Sequence, residues 1–284
     1  MIDLRVKFSK VDANSMTVPL EEKLDKGQVE YFSEGISILF QEPEINFGDH
    51  GEKAIVNFPN HSPMIELEIA DIDAKNFSLF AHYIWKSSIL MSKLLLAAPS
   101  IVAGKRVLEL GAGVGIPSIV ALRLGAMVIS SDYPDENLIS RLKFNLQQNH
   151  CGDYQVIGHE WGEEETISLL LNQGQFDVIL MADTLWMSHQ HHNLLKDLQK
   201  LLKPKGIIFG VAGLHSGKTT FESFFTKSAS YGFSWTWEAR RIPIGAGFCE
   251  EKEWDLVKDE GEITDDPRER LRFLYTFKMW FKSF

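Results

Sequence analysis

Cysteine is scarce in this chain: 284 residues contain two, Cys151 and Cys249. Two thiols cannot build a disulfide framework, which fits a reducing compartment. Long hydrophobic runs are lacking too. The most apolar helical stretch is interrupted by Lys86 and Lys93, so no segment reaches membrane-spanning length. No basic-then-apolar leader opens the chain, because Asp3, Arg5 and Lys7 break it up. Positive charge is in deficit: 29 Lys and Arg stand against 39 Asp and Glu, for a net charge of -10. Such a balance argues against neutralising a phosphate backbone, hence against nucleic acid as partner, and suits a basic protein or a small molecule. Internal repeats and low-complexity tracts are absent. The expectation is a soluble, cytoplasmic, monomeric protein, free of membrane contact and long enough for a sizeable core.

What is present centres on Arg106-Val107-Leu108-Glu109-Leu110-Gly111-Ala112-Gly113-Val114-Gly115-Ile116-Pro117. A short apolar run reads as a strand buried on both faces. Three glycines alternate after it, and Pro117 occupies the first turn of a helix, where no N–H is needed. Strand, glycine turn and helix make a nucleotide-binding βα unit, in which glycine permits close backbone approach and the helix start offers N–H groups. A dinucleotide fingerprint needs glycine at position 116, where Ile116 stands. A second strand, Met127 to Asp132, ends in a carboxylate placed to accept both hydroxyls of a ribose. Adenosine with a short tail fits this better than a dinucleotide; a plain turn for another nucleotide is the competing reading.

Regular βα alternation follows, which predicts a parallel sheet with helices on both faces. Strands are expected at residues 106–110, 127–132, 154–158, 176–183, 206–213, 234–242 and 273–281. Helices are expected at 119–124, 135–149, 189–202 and 219–231. The last two strands lack a helix between them and predict an antiparallel hairpin at the sheet edge. Upstream, residues 1–30 read as a flexible arm. Residues 31–76 read as a small β extension with strands at 35–40, 54–58 and 64–69. A helix over 77–99, carrying Trp85, opens the main domain of 77–284. An acidic stretch fills 250–270.

Ligands of open α/β sheets sit at the carboxyl ends of the strands, where strand order reverses. The residues to inspect are those that end strands: Glu109 to Gly115, Asp132-Tyr133, Trp161, and Ala182-Asp183 to Trp186. An acid at a strand end can orient an incoming amine and take up charge as it loses its proton. Asp183 is so placed, and Trp186 could turn a π face to a cation. The bland alternatives are that Asp183 caps the next helix and that Trp85 anchors the core.

Several of these residues carry a resemblance. The glycine turn with Glu109, and Asp132, resemble the first two motifs of seven-strand S-adenosylmethionine-dependent methyltransferases. Asp183-Thr184-Leu185-Trp186, Trp85, the Trp161-Gly162 pair, and Leu142, Asn145 and Asn149 on one helix are similar to methyltransferase family 16. That family modifies lysines or amino termini of proteins. Residues 39–44 and 131–135 are similar to a fungal branch of it, described both as nicotinamide N-methyltransferases and as elongation factor 1-alpha methyltransferases. The resemblance implies a Rossmann-like seven-strand methyltransferase fold with S-adenosylmethionine as cofactor. It implies that Glu109, Gly111, Ala112 and Gly113 meet the methionine part and that Asp132 holds the ribose. Tyr133 and Trp161 would flank the adenine, Trp85 would border the cofactor, and Ala182, Asp183 and Trp186 would face the reaction. The implied substrate is a lysine-bearing protein such as a translation elongation factor. A small amine or pyridine, or a module that binds cofactor without catalysis, are the alternatives.

Two further patterns compete. Ala212-Gly213-Leu214-His215-Ser216-Gly217-Lys218-Thr219 loosely matches a phosphate-binding loop but reads as a surface turn before a helix. His189, His191 and His192 lack a cysteine pair or acid at ligand spacing. They read as a solvated helix start, and no metal is expected.

Overall fold

The computed structural model describes residues 6–9, 46–47, 51–58, 61–70, 83–149, 152–214, 216–241, 256–257 and 273–282. Five parallel strands form the heart of the main sheet. They are β6 (Arg106–Leu110), β7 (Met127–Asp132), β8 (Tyr154–Gly158), β9 (Phe176–Ala182) and β10 (Leu202–Gly213). Val107, Leu108 and Leu110 of β6 and Val178 to Met181 of β9 are fully buried, as their unbroken apolar runs require of strands covered on both faces.

The strand order is β12-β11-β13-β10-β9-β6-β7-β8. From β6 the chain winds outward through β7 and β8, then crosses back to lay β9 on the other side of β6. The reversal therefore falls between β6 and β9, and their carboxyl ends open the crevice where a ligand belongs. The expected hairpin is present: β13 (Phe273–Phe281) pairs antiparallel with β11 (Phe233–Arg241), with Phe233 opposite Phe281. It also pairs antiparallel with β10, so the last long strand lies inside the sheet between two earlier ones. A two-residue strand, β12 (Leu256–Val257), adds an eighth member at the β11 edge.

Helices cover both faces. On one lie α1 (Lys86–Ala97), α2 (Ile116–Arg123) and α3 (Glu136–Asn149). On the other lie α4 (Glu164–Leu171), α5 (His191–Leu201) and α6 (Lys218–Ser228). α5 shows the amphipathic rule plainly: Leu194, Leu195, Leu198 and Leu201 are buried while Lys196 and Gln199 face solvent. Beneath α6, Phe221, Phe224 and Phe225 meet Tyr275 and Phe277 of β13, with Trp235 and Trp237 of β11 alongside. Gly210 makes room for this layer, since a Cβ there would lie 2.0 Å from the Phe277 ring.

A separate three-stranded sheet has the order β1-β3-β4, from β1 (Val6–Ser9), β3 (Lys53–Phe58) and β4 (His61–Glu68). Ala54, Val56 and Phe58 alternate inward with Ile65, Leu67 and Ile69 and join the core on the α1–α3 face. β1 falls in the stretch read from sequence as an arm, and it pairs with β3. The strand expected at 35–40 lies outside the described residues.

Two expectations need correction. The helix expected over 77–99 begins only at Lys86; residues 77–82 are outside the described set. Ile84 and Trp85 form β5, paired antiparallel with β2 (Asn46–Phe47). Trp85 is extended, at φ -83 and ψ 140, so strand pairing overrides the helical spacing. The second correction is α4, which the sequence reading did not place between β8 and β9.

Candidate active site

Past β6 the chain turns through Gly111, Gly113 and Gly115, at φ of 66, 52 and 85. L side chains avoid this region, but the glycines serve different ends. A Cβ on Gly111 would lie 2.9 Å from Thr184 Cγ2 and 3.8 Å from Trp161 Cζ2. Gly111 thus sits where the β9 loop and the Trp161 ring converge. A Cβ on Gly115 would lie 2.7 Å from methyls of both Leu142 and Leu146. That glycine lets α3 pack against the start of α2.

The turn is tied across the tip of β7. Ala112 N–H donates to Ser131 O at 3.0 Å, and Gly113 N–H donates to Asp132 Oδ2 at 2.6 Å. Asp132 Oδ1 accepts the Tyr133 N–H at 2.6 Å. Desolvation raises the Asp132 pKa above the ordinary carboxylate value, against the pull of the two N–H bonds. Each oxygen keeps a further lone pair.

Glu109, one residue before the end of β6, is buried. Its Oε2 accepts the Ser118 N–H at 2.9 Å and the Ser118 hydroxyl, which adjoins Ser130 Oγ at 2.9 Å. Its Oε1 has no partner among the described residues. Burial pushes the carboxyl up to about 8; the Ser118 bonds oppose this and the nearby Asp132 charge adds to it.

Asp183, just past β9, stands alone among the described non-glycine residues in having a positive φ, at 61. Its N–H donates to Val211 O at 2.8 Å, and its Oδ1 accepts the Gly213 N–H at 2.9 Å. Strain of this kind persists where the surroundings over-determine it, and it gathers at functional sites. Asp183 is not a helix cap: α5 begins eight residues later, after Gln190, which makes no side-chain cap. Thr184 follows, its Oγ1 buried and without a partner among the described residues. Trp186 is half-buried beyond it.

The structure thus brings Gly111, Gly113, Asp132, Tyr133, Trp161 and Asp183-Thr184 to one end of the sheet, with Glu109 beneath. Trp85 caps the start of α1, half-buried, with Tyr83 edge-on at 6.2 Å. Sequence reasoning missed Ser118 and Gly213, and it gave Thr184 no role of its own. The signal for Ser118 was faint: a small polar residue in the first turn of the helix behind a buried acid.

The three histidines separate. His189 and His192 are exposed, but His191 is fully buried, against the expectation of a solvated helix start. Its Nε2 donates to Leu185 O at 3.0 Å and its Nδ1 meets Ser223 Oγ at 3.1 Å. Burial lowers its pKa. No cluster of three or more His, Cys, Asp or Glu that could hold a metal occurs among the described residues.

The donors and acceptors suit a nucleoside with a cationic tail. The bare backbone at Gly111, between Thr184 and Trp161, admits close contact, Asp132 offers acceptors to hydroxyls, and the Glu109 oxygen, once its carboxyl loses its proton, offers one to a cation.

Residues 64–229 match the profile of the lysine methyltransferase family. Among similar curated proteins is protein N-terminal and lysine N-methyltransferase EFM7 of Eremothecium gossypii. It is 30% identical over 226 residues, covering 75% of this chain and 84% of that protein. Its namesake in Cryptococcus neoformans is 32% identical over 183 residues, 59% of this chain. The matched stretch spans 60% of that relative's own length. Among solved structures, a protein described as an RNA methyltransferase from Pyrococcus horikoshii aligns at TM-score 0.51 and 17% identity. It covers 76% of this chain and 94% of its own. SMU.776, described as a methyltransferase and solved with S-adenosylhomocysteine, aligns at TM-score 0.52 and 16% identity, covering 82% of this chain and 57% of its own. At such identities the structures speak to fold alone.

Proposed function

This chain belongs to the lysine methyltransferase family, and on that premise we propose that it transfers methyl groups from S-adenosylmethionine to a lysine or amino terminus of a protein. The observation that carries the reading is Asp183: a carboxylate held in a strained conformation at the switch point, one residue from the side chain that abuts Gly111.

S-adenosylmethionine, when bound, supplies a methyl group on a sulfonium whose leaving group is a neutral thioether. The chain is left to align the partners and to present a deprotonated amine. Asp132 would hold the ribose hydroxyls and Trp161 would wall the adenine. Glu109, held protonated by burial, would give up its proton beside the positively charged tail and serve it as an acceptor in a dry setting. An acceptor amine is protonated at neutral pH and must lose that proton to solvent before attack. The Asp183 carboxylate accepts an N–H of that amine and orients its lone pair. Its anchorage on Val211 and Gly213 keeps it from swinging away as charge moves.

A translation elongation factor is the substrate we put forward, on the likeness to the fungal branch, and with it a cytoplasmic, monomeric enzyme. The net charge of -10 supports a basic target segment. The test is incubation with methyl-labelled cofactor and extract from cells lacking the protein. A labelled protein band that disappears with Asp183→Asn is expected. Label confined to a small molecule would overturn the protein reading in favour of a pyridine or small amine. Cofactor bound without any labelled product would leave only a binding module.

A further inference from the structure

We infer that Asp197, acting through His159 and Gly162, is a positioning residue that sets the adenine-side wall of the site. This rests on the reading of the site as a cofactor pocket. Asp197 lies in the middle of α5 and touches none of the strand tips, yet it is 1% exposed and His159 is 2% exposed. A single oxygen, Oδ2, accepts the Gly162 N–H at 2.7 Å and meets His159 Nε2 at 3.1 Å. With a carboxylate as partner, Nε2 carries the imidazole hydrogen. Nδ1 then faces the Thr166 hydroxyl of α4 at 2.9 Å.

The two residues that Asp197 grips bracket Trp161. His159 opens the turn and is fixed at its other side by its N–H to Asp132 O, at 2.8 Å. Gly162 closes the turn at φ 89. The closing residue is pressed on α5 so tightly that a Cβ there would lie 2.5 Å from the Asn193 side chain. Trp161, between them, carries its ring towards Gly111. One buried oxygen therefore straps both ends of the four-residue turn that holds the wall.

Stability alone does not account for this arrangement. The second oxygen, Oδ1, is buried with no partner among the described residues, and a buried carboxylate incompletely paired is a poor stabiliser next to an apolar side chain. What the strap supplies is a fixed height and tilt for Trp161. A shift of about 1 Å in a positioning group can cost on the order of 100-fold in function.

The test measures dissociation constants of S-adenosylhomocysteine and of methylthioadenosine, beside the thermal midpoint, in the full chain. Asp197→Ala is expected to raise both constants by about 10-fold or more, and by the same factor, because the loss lies at the shared nucleoside. Asp197→Asn, whose amide oxygen can still accept the Gly162 N–H, is expected to restore most of the affinity. Lys200→Ala, on the exposed side of the same helix, is expected to change neither. Should Asp197→Ala fail to fold, His159→Phe carries the test, with an expected rise of about threefold or more. Constants within twofold of the parent in a folded Asp197→Ala or His159→Phe overturn the inference. So does affinity that merely follows the thermal midpoint across all variants, without rescue by Asn. A parent protein that binds neither probe overturns the cofactor reading itself, and this inference with it.

Discussion

Asn145 pairs with the backbone of Glu68 on both of its polar groups. Its Oδ1 accepts the Glu68 N–H at 2.8 Å and its Nδ2 donates to the Glu68 carbonyl at 2.9 Å. One helical turn on, Asn149 Oδ1 accepts the Glu66 N–H at 2.9 Å, and its Nδ2 donates to the Glu66 carbonyl. Two asparagines four residues apart thus match two strand residues two apart, in the opposite chain direction, and α3 stands in for a neighbouring strand along the β4 edge. A strand edge left open is a template for unwanted pairing.

Asn145→Leu leaves a strand N–H and a strand carbonyl without partners. It is expected to cost about 2 kcal/mol or more, at about 1–3 kcal/mol for each buried polar group left unpaired. Urea unfolding of variant and parent measures this. Faster proteolytic cleavage near β4 is expected to accompany it.

The first and third glycines of the turn should separate by phenotype. Gly115→Ala drives a Cβ into Leu142 and Leu146 at a positive φ and is expected to lower stability by about 2–4 kcal/mol, with overpacking and the left-handed backbone adding. Gly111→Ala meets only Thr184 at under 3 Å. It is expected to weaken S-adenosylhomocysteine binding about 10-fold or more, with a smaller loss of stability. Calorimetry and denaturant titration on the pair decide.

Asp183→Asn keeps a side chain that tolerates the left-handed region and an oxygen for the Gly213 N–H. The thermal midpoint is expected within about 3 °C of the parent. Methyl transfer to protein is expected to fall about 100-fold or more, since the amide cannot take up charge. Unchanged transfer would remove Asp183 from the chemistry.

Glu109 gives stability a pH dependence of known sign. Its carboxyl titrates near 4.5 in an open chain and near 8 when buried in the fold. The fold therefore favours the protonated form. The associated stability is fully present below about 4.5 and is lost as pH rises to about 8, at up to about 1.4 kcal/mol per pH unit. Glu109→Gln cannot ionise. Its thermal midpoint is expected to decline less than that of the parent between pH 5 and 8 (on the order of half the slope or less, as Asp132 is raised too). Equal slopes would show that Glu109 does not titrate in this window.

Much of the site was legible in the sequence because its signals are local. The glycine turn, the acid at the end of β7 and the acid at the end of β9 each follow a short, largely apolar run, which reads as a buried strand from its length and β-branched content. What stayed hidden depends on contacts distant in sequence. Nothing near Asp197 announces that it meets Gly162, 35 residues earlier. His191 looked like one of three solvated histidines until α6 supplied Ser223. The run from Glu164 to Leu171 carries a helix too short to show a period and lacks a side-chain cap at Glu163. Ile84 and Trp85 fit the spacing of the helix that follows, and only pairing with Asn46–Phe47 makes them strand. The Leu142, Asn145 and Asn149 pattern was visible, but its partner edge on β4 was not.

The place of β13 between β10 and β11 bears on how the protein is born. β10 ends at Gly213 and β13 begins at Phe273, so roughly sixty residues emerge from the ribosome before the gap can be filled. At about 5–20 residues per second, a fully apolar ladder waits several seconds without its proper neighbour. Delayed docking of the final strand is therefore the step at which nascent chains would cling to one another, and where a chaperone would do most good.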